Sequence, residues 1–286
     1  MFLDEVERIS KIFKSIAKEK KLKIFSHLDC DGICSVSILL KTLLREGINF
    51  ELRIVKQLTS QVIKEIKIDK NTLLIFSDLG SGQLSLLRGL IEKTHVLILD
   101  HHEPSKFEHM NLFHLNPLIF NEEASTSMIC YLLAKNLDIK NTDLIDLAIV
   151  GAIGLYGRSR PIHKALELSF DPFIPGISGS ESDAVQFLSE IGVPLKQHGE
   201  WRKLSELDIE EQKKIASAII IERLKAKDLD AADIFGEIYN ILGRPEELQD
   251  VREFATLLNA CGRLGFHDIG IRLCLNDLSA IEASMQ

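Results

Sequence analysis

Three short clusters of carboxylates and imidazoles punctuate the first half of the chain. His27, Asp29 and Asp31 stand in SHLDCDG (26–32), Asp78 stands in SDLGSG (77–82), and Asp100, His101 and His102 open DHHEPS (100–105). Each cluster adjoins an apolar run, where an ionised group is costly unless it is paired or bound to metal. Four carboxylates and three imidazoles gathered in one place would repel one another if left empty, and a pair of divalent cations resolves that. Mixed Asp and His donors suit Mn2+ and similar ions of intermediate hardness. Two such ions roughly 3.5–4 Å apart can activate a water and clamp the oxygens of a phosphoryl group. Taken singly, Asp78 reads as a helix cap and the His pair as a surface or core pair. The ordered set H-x-D-x-D-G, then a strand-end Asp, then D-H-H reads as a two-metal site. Gly32 permits a close turn, and the helix that follows can face an anion with its N-terminus.

Converging these clusters requires a particular arrangement of elements. Apolar runs at 22–26, 49–55, 72–77 and 95–99 predict strands, and the segments between them, 33–46, 58–67 and 83–92, predict helices. That alternation describes βαβ units and a parallel sheet covered on both faces. The clusters then fall just past the ends of three strands, on the one sheet edge where ligands bind. Leu3, Val6, Ile9, Phe13 and Ile16 predict an N-terminal helix, and the basic run KEKKLK after it reads as a solvated loop. Residues 1–165 thus form one α/β domain. Beyond them SFDPFIPGISGSESD reads as a loop, and 183–192, 207–226, 230–241 and 248–265 predict a second, helical region.

Composition sets outer limits. The 286 residues are 45% hydrophobic and 27% charged, with a net charge of −8. A protein that grips many phosphates usually carries a basic excess, so broad duplex binding is disfavoured. A narrow groove is compatible with an acidic chain, because bound divalent cations invert the local sign. No apolar run reaches the ~18 residues of a membrane-spanning segment. MFLDEVERISKIFK does not read as a signal peptide, and the five cysteines form no C-x-x-C pair, so a cytoplasmic, reducing location is expected.

HLDCDG, SDLGSG and DHHEPS resemble the first three motifs of the DHH phosphoesterase superfamily, which includes RecJ exonucleases, oligoribonucleases, cyclic-dinucleotide phosphodiesterases and manganese pyrophosphatases. LNP (115–117) and EASTSMICYLL (123–133) are similar to the segment that follows the third motif there. FDPFIPGISGS, GEIYNI and REFATLLNACGRLG resemble the archaeal RecJ-like, GINS-associated nucleases, whose eukaryotic relative is the fold-sharing subunit of the replicative CMG helicase. The resemblance runs from about residue 20 to about 277. It implies a DHH domain over 1–165, a helical insertion or linker over 166–245, and the truncated beginning of a DHH-associated domain over 246–286.

Residue by residue, the resemblance implies that His27, Asp29 and Asp78 bind the first metal. Asp31, Asp78 and His101 bind the second, with Asp78 bridging. His102 corresponds to an additional active-site His that contacts phosphate or the transition state, and Asp100 supports the histidines from behind. Ser125, Thr126 and Ser127 could donate to a phosphate or simply cap a helix. Arg263 corresponds to a basic position that contacts nucleic acid, or else forms a structural ion pair. Two departures stand out. The fourth motif usually ends G-A-I-G-D, with the Asp as last ligand of the second metal, whereas GAIGLYG (151–157) has Leu155 there; Asp143 and Asp146 fall earlier in the same segment. The chain also ends at Gln286 without the glycine-rich nucleic-acid-binding motif of the associated domain, as a catalytic-core fragment or a shortened paralogue would.

The expected function is a Mn2+-dependent exonuclease, with Mg2+ as the alternative ion. It would act on single-stranded DNA or RNA in a crevice between the two regions, alongside archaeal replication proteins in the nucleoid. The expected partners are the GINS complex, bound through about 166–245, and the replicative helicase. A catalytically impaired replisome scaffold that binds GINS is the alternative. A small-molecule phosphoesterase is a third possibility, opposed by the phrases near the C-terminus.

Overall fold

A computed structural model describes residues 1–156, 177–202, 206–226, 239–277 and 279–284. Five strands form one parallel sheet: β1 (Lys21–His27), β2 (Phe50–Val55), β3 (Thr72–Ser77), β4 (His95–Leu99) and β5 (Leu112–Leu115). Their order is β2-β1-β3-β4-β5. The chain therefore reverses direction across the sheet between β1 and β3, the position at which open α/β sheets bind ligands. The first four strands fall where the apolar runs predict them. β5 does not, because it is a four-residue edge strand interrupted by His114.

The sheet is covered on both faces, and the strand alternation shows how. Leu22 and Ile24 of β1, Leu73 and Ile75 of β3, and Leu97 and Leu99 of β4 enter one core. That core is shared with helices α1 (Phe2–Ile16), α2 (Cys30–Arg45), α5 (Thr126–Leu137) and α6 (Ile145–Tyr156). Phe25, Leu74, Phe76, Val96 and Ile98 point to the opposite face, beside α3 (Ser60–Glu65) and α4 (Leu84–Ile91). β3 is buried along its whole length, as the central strand of a doubly covered sheet must be. On α1 the buried stripe is Phe2, Val6, Ile9 and Phe13, while Leu3 is 54% exposed. The buried stripe thus starts at Phe2, one residue before the expected Leu3, because Phe2, Val6 and Ile9 hold the i, i+4, i+7 spacing and Leu3 does not.

Two units account for the chain: Met1–Gly157 together with Asn240–Gln286, and Arg158–Tyr239. Residues 240–286 fall in the first unit, where the helices Val251–Leu264 and His267–Cys274 pack on α2 and α6. Phe254, Ala255, Leu258 and Leu273 are buried in the same core as the sheet. Arg244, also buried, ties the segment in by donating to Asp146 Oδ2 at 2.8 Å and to the Leu273 carbonyl at 3.1 Å.

The second unit contains helices Glu181–Glu190 and Ile209–Lys225 and a two-stranded antiparallel ribbon, Lys196–Gln197 with Glu200–Trp201. Ala184, Leu188, Val193, Leu207, Ile215 and Ile219 form its core. Arg202 braces it by a bidentate pair with Glu211, at 2.7 and 2.6 Å. Most of the helix expected at 230–241 lies outside the described residues, as does most of FDPFIPGISGS. Among the described residues, no helix is long and apolar enough to cross a membrane.

Candidate metal centre

Sheet register sets the site. Ser26 pairs with Ser77, Ser77 with Leu99, and Leu99 with Leu115. The next residues on these strands, His27, Asp78, Asp100 and Asn116, therefore stand side by side at the sheet's C-terminal edge. The basic run lies at the other end of β1, where Lys18, Lys21 and Lys23 pair with Glu46, Asp69 and Glu51.

Beyond His27 the chain turns at once into α2. Asp29 is the N-cap, its Oδ1 accepting from the Gly32 amide at 2.9 Å. A side chain at Gly32 would collide with the end of β1, its Cβ standing 2.7 Å from the His27 carbonyl carbon. Only glycine allows this approach. Asp78 has φ of 60°, a left-handed conformation that Asp tolerates better than most residues and that costs energy unless the surroundings impose it. Here the Asp78 amide donates to the Leu99 carbonyl at 2.8 Å.

The ligand atoms form two groups, His27–Asp29–Asp78 and Asp78–His101–His102, and within each they lie no more than 4.8 Å apart. Asp78, 1% exposed, belongs to both. His27 Nδ1 is 3.2 Å from Asp29 Oδ1 and 3.4 Å from Asp78 Oδ2, and His101 Nε2 is 3.6 Å from Asp78 Oδ1. Although His27 Nδ1 is buried, it makes no hydrogen bond. A buried, unsatisfied imidazole nitrogen aimed between two carboxylates is what a metal ligand looks like without its ion. The donor set fits a divalent cation of intermediate hardness.

Charges follow the same geometry. Burial opposes protonation of His27, but Asp29 and Asp78 outweigh it and hold its pKa up at about 10. Burial pushes Asp29 up, but His27 and the Gly32 amide bring it down to about 2. Burial drives Asp78 well above the carboxylate range, and the charges of Asp31, Asp29 and Asp100 add to this against the opposing effect of the nearby His27. His101 is lowered by burial, which favours the neutral, ligating imidazole.

Asp31 stands in neither group. Its carboxylate faces the N-terminus of α5 instead, accepting from the Thr126 amide at 2.8 Å and the Ser127 amide at 2.9 Å. Ser125, Thr126 and Ser127 are all buried. Ser125 caps α5 by accepting from the Met128 amide, Thr126 Oγ1 donates to Asp78 Oδ1 at 2.9 Å, and Ser127 Oγ donates to the Ala148 carbonyl. As built, these hydroxyls serve the helix and the carboxylates.

Asp100 organises the other side. One oxygen accepts from the His101 amide at 2.9 Å and faces His102 Nδ1 at 2.7 Å, and the other accepts from the Ser81 amide at 2.8 Å. This bond raises the His102 pKa to about 9 against the effect of burial. Behind it, Asn116 Nδ2 donates to the His102 carbonyl and to Ser81 Oγ, and Ser81 Oγ meets His114 Nε2 at 2.7 Å. Burial lowers His114 to about 4, so this imidazole is neutral. Ser81 and His114 carry no sequence signal of their own beyond their place, Ser81 inside SDLGSG and His114 just before LNP.

Leu155 is half-buried on α6, one helical turn beyond Gly151 and so on nearly the same face. A Cβ at Gly151 would stand 2.8 Å from Asp31 Oδ1. Neither nearby acid substitutes for the missing carboxylate: Asp143 is held by Arg45 at 2.8 and 2.5 Å, and Asp146 by Arg244. Arg263 is exposed and, among the described residues, has no ion pair.

Known proteins share most of this chain. A family model described as "DHH family, N-terminal domain" matches residues 21–154, and one described as "DHH-CID domain" matches 155–234. An uncharacterized protein of Methanocaldococcus jannaschii is 32% identical over 333 aligned residues, taking in 99% of this chain and 72% of that protein. Exonuclease RecJ bound to manganese superposes with a TM-score of 0.56 at 19% identity, covering 98% of this chain and 63% of that one. RecJ from Thermus thermophilus with Mn2+ gives 0.55 at 19% identity, covering 98% and 36%. CDC45 from Entamoeba histolytica gives 0.65 at 15% identity, covering 99% and 72%. At these identities the solved structures share the fold, and this chain spans less than two thirds of either RecJ chain.

Proposed function

The chain belongs to the DHH family, and from that premise we propose that it is a RecJ-like, metal-dependent phosphodiesterase that trims single-stranded nucleic acid from an end. The observation that carries this reading is Asp78, a single buried carboxylate shared by two ligand groups, opposite an imidazole nitrogen without a hydrogen bond. His27, Asp29 and Asp78 would hold one ion; Asp78 and His101, with Asp31, would hold the other. Mn2+ is the favoured ion for these donors, with Mg2+ as the alternative. Bound there, the ions would supply Lewis acidity toward a phosphoryl oxygen and acidify a water. His102, kept protonated at neutral pH by Asp100, donates a proton or hydrogen bond to the phosphoryl or departing oxygen. Arg263 steers the backbone phosphates. Thr126 fixes Asp78 and the α5 amides fix Asp31, so Ser125, Thr126 and Ser127 act on the substrate through the carboxylates. Association with GINS through about 166–245, and with the replicative helicase, completes the reading.

One observation favours the second reading, a replisome scaffold with impaired chemistry. Leu155 offers no lone pair, and both Asp143 and Asp146 are engaged by arginines. Purified protein incubated with end-labelled single-stranded DNA and RNA separates the two. The enzyme reading expects short products in Mn2+, none in chelator and none from Asp29→Ala. Intact strands under all conditions, with GINS still bound, would favour the scaffold.

A further inference from the structure

The loop that carries His27, Asp29 and Asp31 is held from the far end of the chain. The Cys30 amide donates to Asn259 Oδ1 at 3.0 Å, and Asn259 lies on helix Val251–Leu264. On the same helix, a Cβ at Gly262 would collide with the Leu28 carbonyl group, standing 2.9 Å from its carbon. The next helix follows suit, with Gly270 placing a Cβ position 3.3 Å from Ile33 Cδ1. The approach is close on both sides of the ligands.

Cys30 is the first residue of α2, and its amide is one of those that a helix cannot satisfy internally. The cap of α2 is consequently divided. Asp29 takes the Gly32 amide through the same Oδ1 that faces His27 Nδ1, and Asn259 takes the Cys30 amide. A tilt in the first turn of α2 would move Asp29 and Asp31 together relative to His27, which is fixed on β1. Asn259 opposes that tilt.

We propose that Asn259 is a positioning residue of the metal centre, and that helix Val251–Leu264 holds the ligand loop in its metal-binding form. The inference rests on the two-metal reading and adds to it a residue that lies beyond both family-matched segments. Partners of this kind typically alter metal affinity by about 10–100-fold when lost.

The experiment compares the full chain with Asn259→Ala and Asn259→Asp, with Asp29→Ala as control. Mn2+ affinity is read by electron paramagnetic resonance titration, and protection of the Cys30 amide by hydrogen exchange in chelator. Asn259→Ala is expected to weaken Mn2+ binding about tenfold and to speed exchange at Cys30. Asn259→Asp, which keeps an acceptor oxygen in place, should restore both. If Asn259→Ala fails to fold, Asn259→Gln, whose oxygen is displaced by one carbon, must show the same weakening. Unchanged affinity in Asn259→Ala while Asp29→Ala loses one of the two Mn2+ ions would overturn the inference and leave the metal centre standing. So would lost affinity that returns in Asn259→Asp without Cys30 protection. A wild-type chain that binds no Mn2+ would remove the metal centre and the inference with it.

Discussion

His27 carries a proton that a metal must displace, and the consequence can be followed with pH. Its pKa stands at about 10 in the folded, metal-free chain against an ordinary value of 6.5. The stability this contributes is fully present below about pH 6.5 and is lost as pH rises through about 10. The melting temperature in chelator should therefore fall between about pH 7 and 10, while Mn2+ affinity rises by about tenfold per pH unit for each proton displaced. Melts and titrations across that range check both, and a metal-free melting temperature that climbs with pH would contradict the His27 assignment. Leu155 supplies a second prediction. Leu155→Asp should tighten Mn2+ binding and raise turnover, while adding a carboxylate to an acidic cluster in the apo chain. Its melting temperature should drop in chelator and rise with Mn2+; equal shifts in both would place the side chain in the core. The candidate ligands are legible in the sequence because each sits in a local pattern at a strand end. Thr126 on Asp78, Ser81 behind Asp100, and Asn259 on Cys30 are not, since each joins segments far apart in the chain and no local spacing encodes the pairing.

At the scale of elements, two glycines should behave in opposite ways. Gly32→Ala forces a Cβ into the end of β1, 2.9 Å from His27 Cβ. Relief requires moving backbone, at a cost of about 1–3 kcal/mol, and the movement displaces Asp29, so Mn2+ binding should fall with stability. Gly89→Ala places a Cβ in open space within α4. It should add about 0.5–1 kcal/mol of stability and leave Mn2+ affinity unchanged. Denaturant melts and metal titrations of the two variants check the contrast; loss of metal in both would mean that the close turn at Gly32 is not the determinant. Sequence periodicity found β1 to β4 because β3 and β4 are nearly apolar throughout, while Leu22 and Ile24 of β1 and Phe50, Leu52 and Ile54 of β2 alternate with polar residues. β5 and the Lys196–Trp201 ribbon escaped it, being too short for a two-residue period to register. α2 begins at Cys30, earlier than the apolar run at 33, because Asp29 serves as both N-cap and site residue. Acids were read for their chemistry, and their capping role shifted the boundary.

Across the whole molecule, the segment that reads as the start of another domain packs within the first unit. Arg244 on Asp146, Gly262 on Leu28 and Phe254 in the main core bind 240–286 to the α/β unit. Contacts between residue 30 and residue 259 leave no trace in local composition, so no sequence pattern reveals that 240–286 packs within the first unit. The net charge of −8 also bears on function at this scale, because a polyanionic strand would approach an acidic chain only where cations are bound. On the two-metal reading one carboxylate, Asp78, joins both sites. The measurement that tests it most directly is Mn2+ stoichiometry on the full chain, compared with Asp29→Ala and Asp78→Ala. Two ions are predicted for the unmodified chain, one retained by Asp29→Ala, and neither held at the original affinity by Asp78→Ala. An unmodified chain that binds fewer than two ions, or an Asp78→Ala chain that keeps one ion at full affinity, would contradict the account.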